Sequence, residues 1–211
     1  MSRALGLCGV ILAAGDSIRM GSDKALLPWP PAAPGQTPSG TFLSAAIQSL
    51  SLDTELVLVV TGRNAATLAP VIYSAGASMV VNPSPDLGQF SSLQVGLREV
   101  LNHGRDAAMV TLVDRPPVRE TSIRTLTEAF NRAAQHFQWG AVPRFQGKHG
   151  HPFIAGRELI EAFLQAPPTA NAREIRYRYS EKIVFVDVDD PMSVANINTP
   201  EEYSLLVSQC R

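Results

Sequence analysis

The chain has 211 residues, of which 45% are apolar, 18% charged and 7% aromatic, an ordinary globular composition on a chain long enough to bury a core without disulfides or a structural metal. Its 18 Lys+Arg stand against 19 Asp+Glu for a net charge of −1, so no global field gathers nucleic acid or anionic lipid, and neither is expected as a partner. The length fits one domain with an elaboration better than two.

The longest strongly apolar stretch is LGLCGVILAAG, residues 5–15, about half of the ~20 residues that a membrane-spanning helix needs. It reads as a buried strand over Leu7–Leu12. Asp16 and a polar loop carrying Arg19 and Lys24 follow, which argues against a secretory signal. Cys8 and Cys210 are the only cysteines; they fit a reducing compartment, with a bond between them left open. The expectation is a soluble cytoplasmic protein.

Pro28–Gly40 (PWPPAAPGQTPSG) is too rich in Pro and Gly to form an element and reads as a projecting loop. A helix near Thr41–Leu50, a strand at Leu56–Val60, a helix near Asn64–Tyr73 and a strand at Ser78–Val81 come next. Phe90, Leu93, Leu97, Val100 and Leu101 form one helical stripe. Ile123, Leu126, Phe130, Ala133 and Phe137 form another, with a strand at Ala108–Val113 between the two. Arg144–Pro152 (RFQGKHGHP) reads as an irregular loop or hairpin before a helix at Arg157–Leu164. A strand at Ile183–Val188 precedes a last helix, Pro200–Val207, with Thr199 as its cap and Pro200 in its first turn. Continuous apolar runs alternating with amphipathic segments imply an α/β fold whose mostly parallel sheet is buried on both faces. No repeat or internal boundary is visible, so residues 1–211 are expected to form a single domain.

The segment after the first strand, Leu12-Ala13-Ala14-Gly15-Asp16-Ser17-Ile18-Arg19-Met20-Gly21-Ser22-Asp23-Lys24, carries the most chemistry. Small residues let backbone amides approach a ligand, and Arg19 and Lys24 add cations, a combination suited to a polyphosphate. It is neither G-x-x-x-x-G-K-[ST] nor G-x-G-x-x-G. By itself it reads equally as a Gly-containing loop with two exposed basic residues.

In register and in spacing this segment, continued by Ala25-Leu26-Leu27-Pro28, resembles the signature loop of the MobA-like nucleotidyltransferases, which include molybdenum cofactor cytidylyltransferase and guanylyltransferase. The resemblance implies a Rossmann-like nucleotidyltransferase fold, three layers with helices on both faces of the sheet. It also implies that Leu12, Ala13, Ala14 and Gly15 wrap a nucleoside triphosphate while Arg19 and Lys24 meet its phosphates.

Three further segments are similar to the family in the same order. The stretch from Asn82 through Ser91, Ser92 and Leu93 to Gly96 and Leu97 places Asn82 and Ser92 near the nucleotide. A turn role for Asn82 and a capping role for the serines are the rival readings. Asp114, after Leu112-Val113 and before Arg115-Pro116, ends a strand where open α/β sheets bind ligands. It resembles the family's magnesium-holding Asp, although Val113 stands where a Gly is usual; Arg115 reads as solvent-facing, with a phosphate contact as the rival. Asn196-Ile197-Asn198-Thr199-Pro200-Glu201-Glu202 resembles the closing motif in its guanylyl form, with Asn198 as a second, neutral metal-side oxygen. Turn and cap chemistry competes there, and Asp189 and Asp190 read as a solvated loop.

His149-Gly150-His151-Pro152 has no metal spacing and no further ligand nearby. Its Gly-His-Pro resembles the cytidylyltransferase-like members and implies acceptor contact by His151, with acceptor-side elements near 144–180.

Together these matches imply a magnesium-dependent transfer of CMP from CTP, or of GMP from GTP, to a phosphorylated acceptor such as molybdopterin. A molybdoenzyme or its chaperone would receive the product. Ala13-Ala14 points to CTP and Asn196-Ile197-Asn198 to GTP; the first loop is followed here. A nicotinamide-dependent reductase and a non-catalytic maturation factor are the alternatives.

Overall fold

A computed structural model describes residues 6–15, 20, 23–31 and 39–209. Six strands run parallel: β1 (Leu7–Leu12), β2 (Leu56–Thr61), β3 (Ser78–Val81), β4 (Ala107–Leu112), β5 (Gly140–Phe145) and β8 (Ile183–Asp187). β6 (Lys148–His149) and β7 (Phe153–Gly156) run against β5, and β7 joins it to β4. The sheet therefore runs β3-β2-β1-β4-β7-β5, with β8 completing the far side of β5. All five expected strands are present, each within one residue of its expected bounds.

Parallel neighbours need a crossover between them, and helices supply it. α1 (Phe42–Ser51), α2 (Ala65–Ser74), α3 (Gln89–Asn102), α4 (Glu120–Ala134), α5 (Arg157–Gln165), α6 (Ala172–Arg178) and α7 (Pro200–Gln209) are the helices of the described residues. Thr41 starts α1 through a capping box: its Oγ1 accepts from Ser44 N at 3.1 Å while Thr41 N donates to Ser44 Oγ at 2.8 Å.

Along β1 the side chains alternate between two cores. Leu7 and Ile11 join Leu43, Ile47, Leu68, Ile123 and Phe130 from α1, α2 and α4. Cys8, Val10 and Leu12 join Leu93, Leu97, Ile160, Phe163 and Ile175 from α3, α5 and α6. The fold is thus three layers, helix–sheet–helix. Burial pushes the Cys8 thiol up to about 12, which leaves it an inert packing residue. No helix among the described residues is long and apolar enough to cross a membrane.

One expectation needs correction and another is incomplete. The stripe expected to end on Phe137 stops at Ala134: the chain turns back on the carbonyls of Ala133 and Ala134, Phe137 takes φ +59°, and its ring is 82% exposed. The hairpin expected within Arg144–Pro152 is present, with Arg144 opposite His149 and Phe145 opposite Lys148, but the rest of β5 and all of β7 were not expected as strands. β5 (GAVPRF) and β7 (FIAG) are short and interrupted by Gly, Pro and Arg, so neither produces a recognisable apolar run. Residues 32–38 of the Pro-rich segment lie outside the described residues; its ends meet in a bridge between Pro28 and Thr41.

α3 lies so close to the sheet that a Cβ on Gly96 would come within 2.8 Å of Val10 Cγ1 and 2.9 Å of Val60 Cγ2. Gly96→Ala is therefore expected to cost about 1–3 kcal/mol through overpacking, despite the better helix propensity of Ala. Thermal and urea unfolding measure this; a stability equal to or above the parent would show that α3 can retreat.

Candidate active site

The carboxyl ends of β1 and β4 face one cleft, the usual ligand position in an open α/β sheet. After β1 the chain is held by Asn64, whose Nδ2 donates to Ala13 O at 2.9 Å and to Asp23 Oδ2 at 2.7 Å, while its Oδ1 accepts from Gly62 N at 3.1 Å. Asp23 Oδ1 in turn accepts from Ala25 N at 3.0 Å and opens the 3-10 turn Lys24–Leu26. One carboxamide thus ties the ends of two strands to the residue that precedes Lys24.

Lys24, 11% exposed at its side chain, reaches across the cleft. Its Nζ donates to Asn198 Oδ1 at 3.0 Å and lies 3.5 Å from Asp114 Oδ2. Positions 24, 114 and 198, far apart in the chain, meet at one ammonium group. Leu12, Ala14, Gly15, Lys24, Ser92 and Asp114 contribute to a cavity of about 110 Å³ there. Ala13 is buried, and a Cβ on Gly15 would meet no atom of the described residues within 4 Å. Arg19 lies outside the described residues.

Asp114 Oδ1 is buried without a hydrogen-bond partner among the described residues. A buried carboxylate oxygen lacking a donor is a group prepared for a cation. No three His, Cys, Asp or Glu converge among the described residues, so a chelating cage of the zinc kind is not built there. Magnesium needs less: one or two protein oxygens, with phosphates and water completing its shell. Asp114 and the Asn198 carboxamide fit that requirement.

Asn198 is placed by a segment anchored on several sides. Ile197 N donates to Asp114 O at 2.9 Å, and the Ile197 side chain is buried with Phe42 and Leu206. Arg115, expected in solvent, is half-buried instead and donates from Nη1 to Ala195 O at 2.7 Å and Val194 O at 3.3 Å. Asp190, expected in a solvated loop, is fully buried: its carboxylate accepts from Arg119 N, Ser122 Oγ and Met192 N at 2.7, 3.0 and 3.1 Å. These donors make burying the charge tolerable. Thr199 caps α7 as expected, accepting from Glu202 N at 3.3 Å.

The structure gives Asn82 the turn role. Its Nδ2 donates to Ser91 Oγ at 2.9 Å and Ser92 Oγ at 3.0 Å, and its Oδ1 accepts from Ser84 N at 2.9 Å, leaving it 3% exposed. The serines serve this bracket and do not cap α3, whose first turn has no side-chain cap. Ser92 still borders the cavity.

A larger cavity of about 470 Å³ shares Leu12, Gly88 and Leu112 with the small one and extends to His151, Arg173 and Arg176. His151 packs edge-on to Phe153 at 5.6 Å, and its Nδ1 is buried without a partner among the described residues. Burial first, then the Arg115 and Arg176 cations, pushes its pKa from 6.5 down to about 3. Arg173 and Arg176 had no counterpart in the sequence reading, because α6 (AREIRYR) buries only Ile175. Asn171, which accepts from Arg173 N at 2.8 Å and stands three residues before Glu174, was the available cap signal.

His151 couples to stability with a definite sign. The unfolded chain binds its proton near pH 6.5, the folded chain not until about pH 3, so its contribution is full above the first value and is lost as the pH falls toward the second. Unfolding measured from pH 8 to pH 4 should show this loss, and His151→Gln should flatten it. An unchanged slope in the variant would remove His151 as its source.

Residues 9–183 match the MobA-like NTP transferase domain. A probable molybdenum cofactor guanylyltransferase of Rhodopirellula baltica is 26% identical over 93% of this chain and 89% of its own. The molybdenum cofactor cytidylyltransferase of Escherichia coli K12 is 23% identical over 92% of each chain. Among solved structures, Rv0371c of Mycobacterium tuberculosis superposes with a TM-score of 0.77 at 22% identity, covering 96% of this chain and 98% of that one. Its complex with manganese gives 0.73 at 21% identity over 96% and 98%. With a converged Lys, Asp and Asn at the strand ends and a domain match spanning most of its length, the chain belongs to the MobA-like NTP transferase family and is a nucleotidyltransferase.

Proposed function

We propose that the chain transfers CMP from CTP to the terminal phosphate of molybdopterin and releases pyrophosphate, with magnesium as the metal. The observation that carries this reading is the meeting of Lys24, Asp114 and Asn198 at the mouth of β1 and β4. The molybdenum cofactor transferases among the relatives support the acceptor class. Those relatives include both guanylyl and cytidylyl enzymes; Ala13-Ala14 in the first loop supports CTP. The manganese complex of Rv0371c supports a divalent cation.

An oxygen of the acceptor phosphate attacks the α-phosphorus, and the bond from that phosphorus to the bridging oxygen of the β-phosphate breaks in line. No covalent intermediate on the protein is needed, so the chain contributes positioning and charge. Lys24 offsets negative charge growing between the α-phosphate and the departing pyrophosphate. Asp114 and Asn198 would hold magnesium, which when bound neutralises phosphate oxygens and orients them. Arg115 and Asn64 act through others, fixing Asn198 and Lys24 respectively.

Pyrophosphate release with CTP, GTP, ATP or UTP, each with molybdopterin and magnesium, tests the reading. CTP is expected to give the fastest release and a chelator to abolish it. Asp114→Ala and Lys24→Ala should each lower turnover by about 10²–10³-fold with folding retained. Release with none of the four nucleotides would overturn the reaction; a preference for GTP would overturn only the base.

A further inference from the structure

A third apolar cluster stands apart from the two cores on the faces of the sheet. Phe42, Ile197 and Leu206 are buried in it, and Leu27, Trp29 and Tyr203 pack against them. Its rings meet in tilted pairs: Trp29 and Phe42 have centroids 5.1 Å apart with planes at 41°, Phe42 and Tyr203 6.0 Å apart at 58°, arrangements that the aromatic quadrupole favours. Three distant segments come together here, the neck of the Pro-rich loop, the start of α1 and the segment that runs into α7. The neck is closed by Trp29 N, which donates to Gly40 O at 3.0 Å, and by Phe42 N, which donates to Leu27 O at 2.8 Å. Both partners of the Lys24–Asn198 contact stand beside this cluster in the chain. Leu27 ends the 3-10 turn that Lys24 begins and donates from its N to Lys24 O at 3.1 Å, and Ile197 directly precedes Asn198.

α7 is otherwise lightly held. It buries only Leu206, and Leu205 is 60% exposed. Glu202 and Tyr203, neighbours in its first turn, reach different partners. Glu202 Oε2 accepts from Asn198 N at 2.5 Å and from Thr199 N at 3.2 Å, while Tyr203 donates from its hydroxyl to Pro28 O at 2.8 Å. Among the described residues, this is the one side-chain hydrogen bond that α7 makes to a segment beyond its own start. Burial raises the Tyr203 pKa, so at neutral pH the hydroxyl keeps the proton that it donates. Apolar contact is non-directional and lets the helix slide on the cluster; a short hydrogen bond is directional and fixes its place.

We propose that Tyr203 is a positioning residue for nucleotidyl transfer: its hydroxyl ties α7 to the loop neck and thereby sets where the Asn198 carboxamide stands relative to Lys24 and Asp114. This rests on the reading of Lys24, Asp114 and Asn198 as the transfer site and on no assignment of base or acceptor. Tyr203 lines neither of the two cavities at the site, so it acts through Glu202, which holds the Asn198 backbone. Groups that act on a reacting phosphate lose much of their effect when displaced by about 1 Å. The loss of one partly exposed hydrogen bond costs the whole fold little. Activity and stability should therefore respond unequally when the hydroxyl is removed.

Tyr203→Phe removes the hydroxyl and keeps the ring, so it tests the tie without emptying the cluster. Its melting temperature should fall by no more than about 2–4 °C. Turnover at saturating nucleotide, acceptor and magnesium should fall about tenfold while the acceptor KM stays within about twofold. Its affinity for manganese(II), titrated by electron paramagnetic resonance with CTP or GTP present, should fall about fivefold. Leu205→Ser, on the exposed side of the same helix, should change none of these. Parent-like turnover and manganese affinity in Tyr203→Phe would overturn the proposal and leave the transfer reading intact, as would losses no larger than the loss of folded protein. No manganese binding by the parent with either nucleotide would overturn it too. If the parent releases pyrophosphate with none of the four nucleotides but Tyr203→Phe still weakens its manganese binding, the transfer reading falls and the tie stands.

Discussion

Everything at the site depends on one ammonium group held between a carboxylate and a carboxamide. Lys24 Nζ bonds Asn198 at 3.0 Å and lies 3.5 Å from Asp114, which joins the loop after β1, the end of β4 and the segment before α7. The ion pair is partly shielded, with side chains 11% and 25% exposed. It is therefore stronger than a surface pair but still open to a ligand. Under the proposed transfer, a triphosphate in the cleft would bring oxygens that compete for the same lysine, while Asp114 keeps a buried oxygen with no donor among the described residues. The contact joins the three segments, and under the proposed transfer it is the one that binding would rearrange.

The surrounding fold braces both sides of this contact. Asn64 braces the approach to Lys24 from two strand ends. Asp190, Arg115 and Ile197 brace the approach to Asn198. Asn64 and Asp190 have their side-chain partners supplied, and Arg115 and Ile197 bond backbone carbonyls, which makes the geometry specific. The two cleft walls are also chemically unlike. One side carries Lys24 and Asp114, the other the guanidinium groups of α6 and the His151 ring.

Much of this was legible in sequence because the responsible signals are local. Continuous runs such as LVLVV and AMVTLV locate buried parallel strands, and the Lys24, Asp114 and Asn198 motifs sit at strand or helix ends where ligand chemistry belongs. What escaped depends on distant partners. β7 is four residues long and is a strand because β4 and β5 flank it. α6 buries a single residue, so it has almost no apolar stripe to read. Asp190 and Arg115 look like surface charges until the chain folds donors and carbonyls around them. Asn82 matched a nucleotide-binding pattern, yet its amide is taken up by its own turn and two serines.

The central claim is that Lys24 and Asp114 act as one unit on the reacting phosphates. Turnover of Lys24→Ala, Asp114→Ala and the double variant, measured with saturating nucleotide and magnesium, tests this directly. If the residues work together, the double variant should lose about as much turnover as the worse single one. Losses that multiply would mean that the two act independently and that their contact in the resting site is only structural.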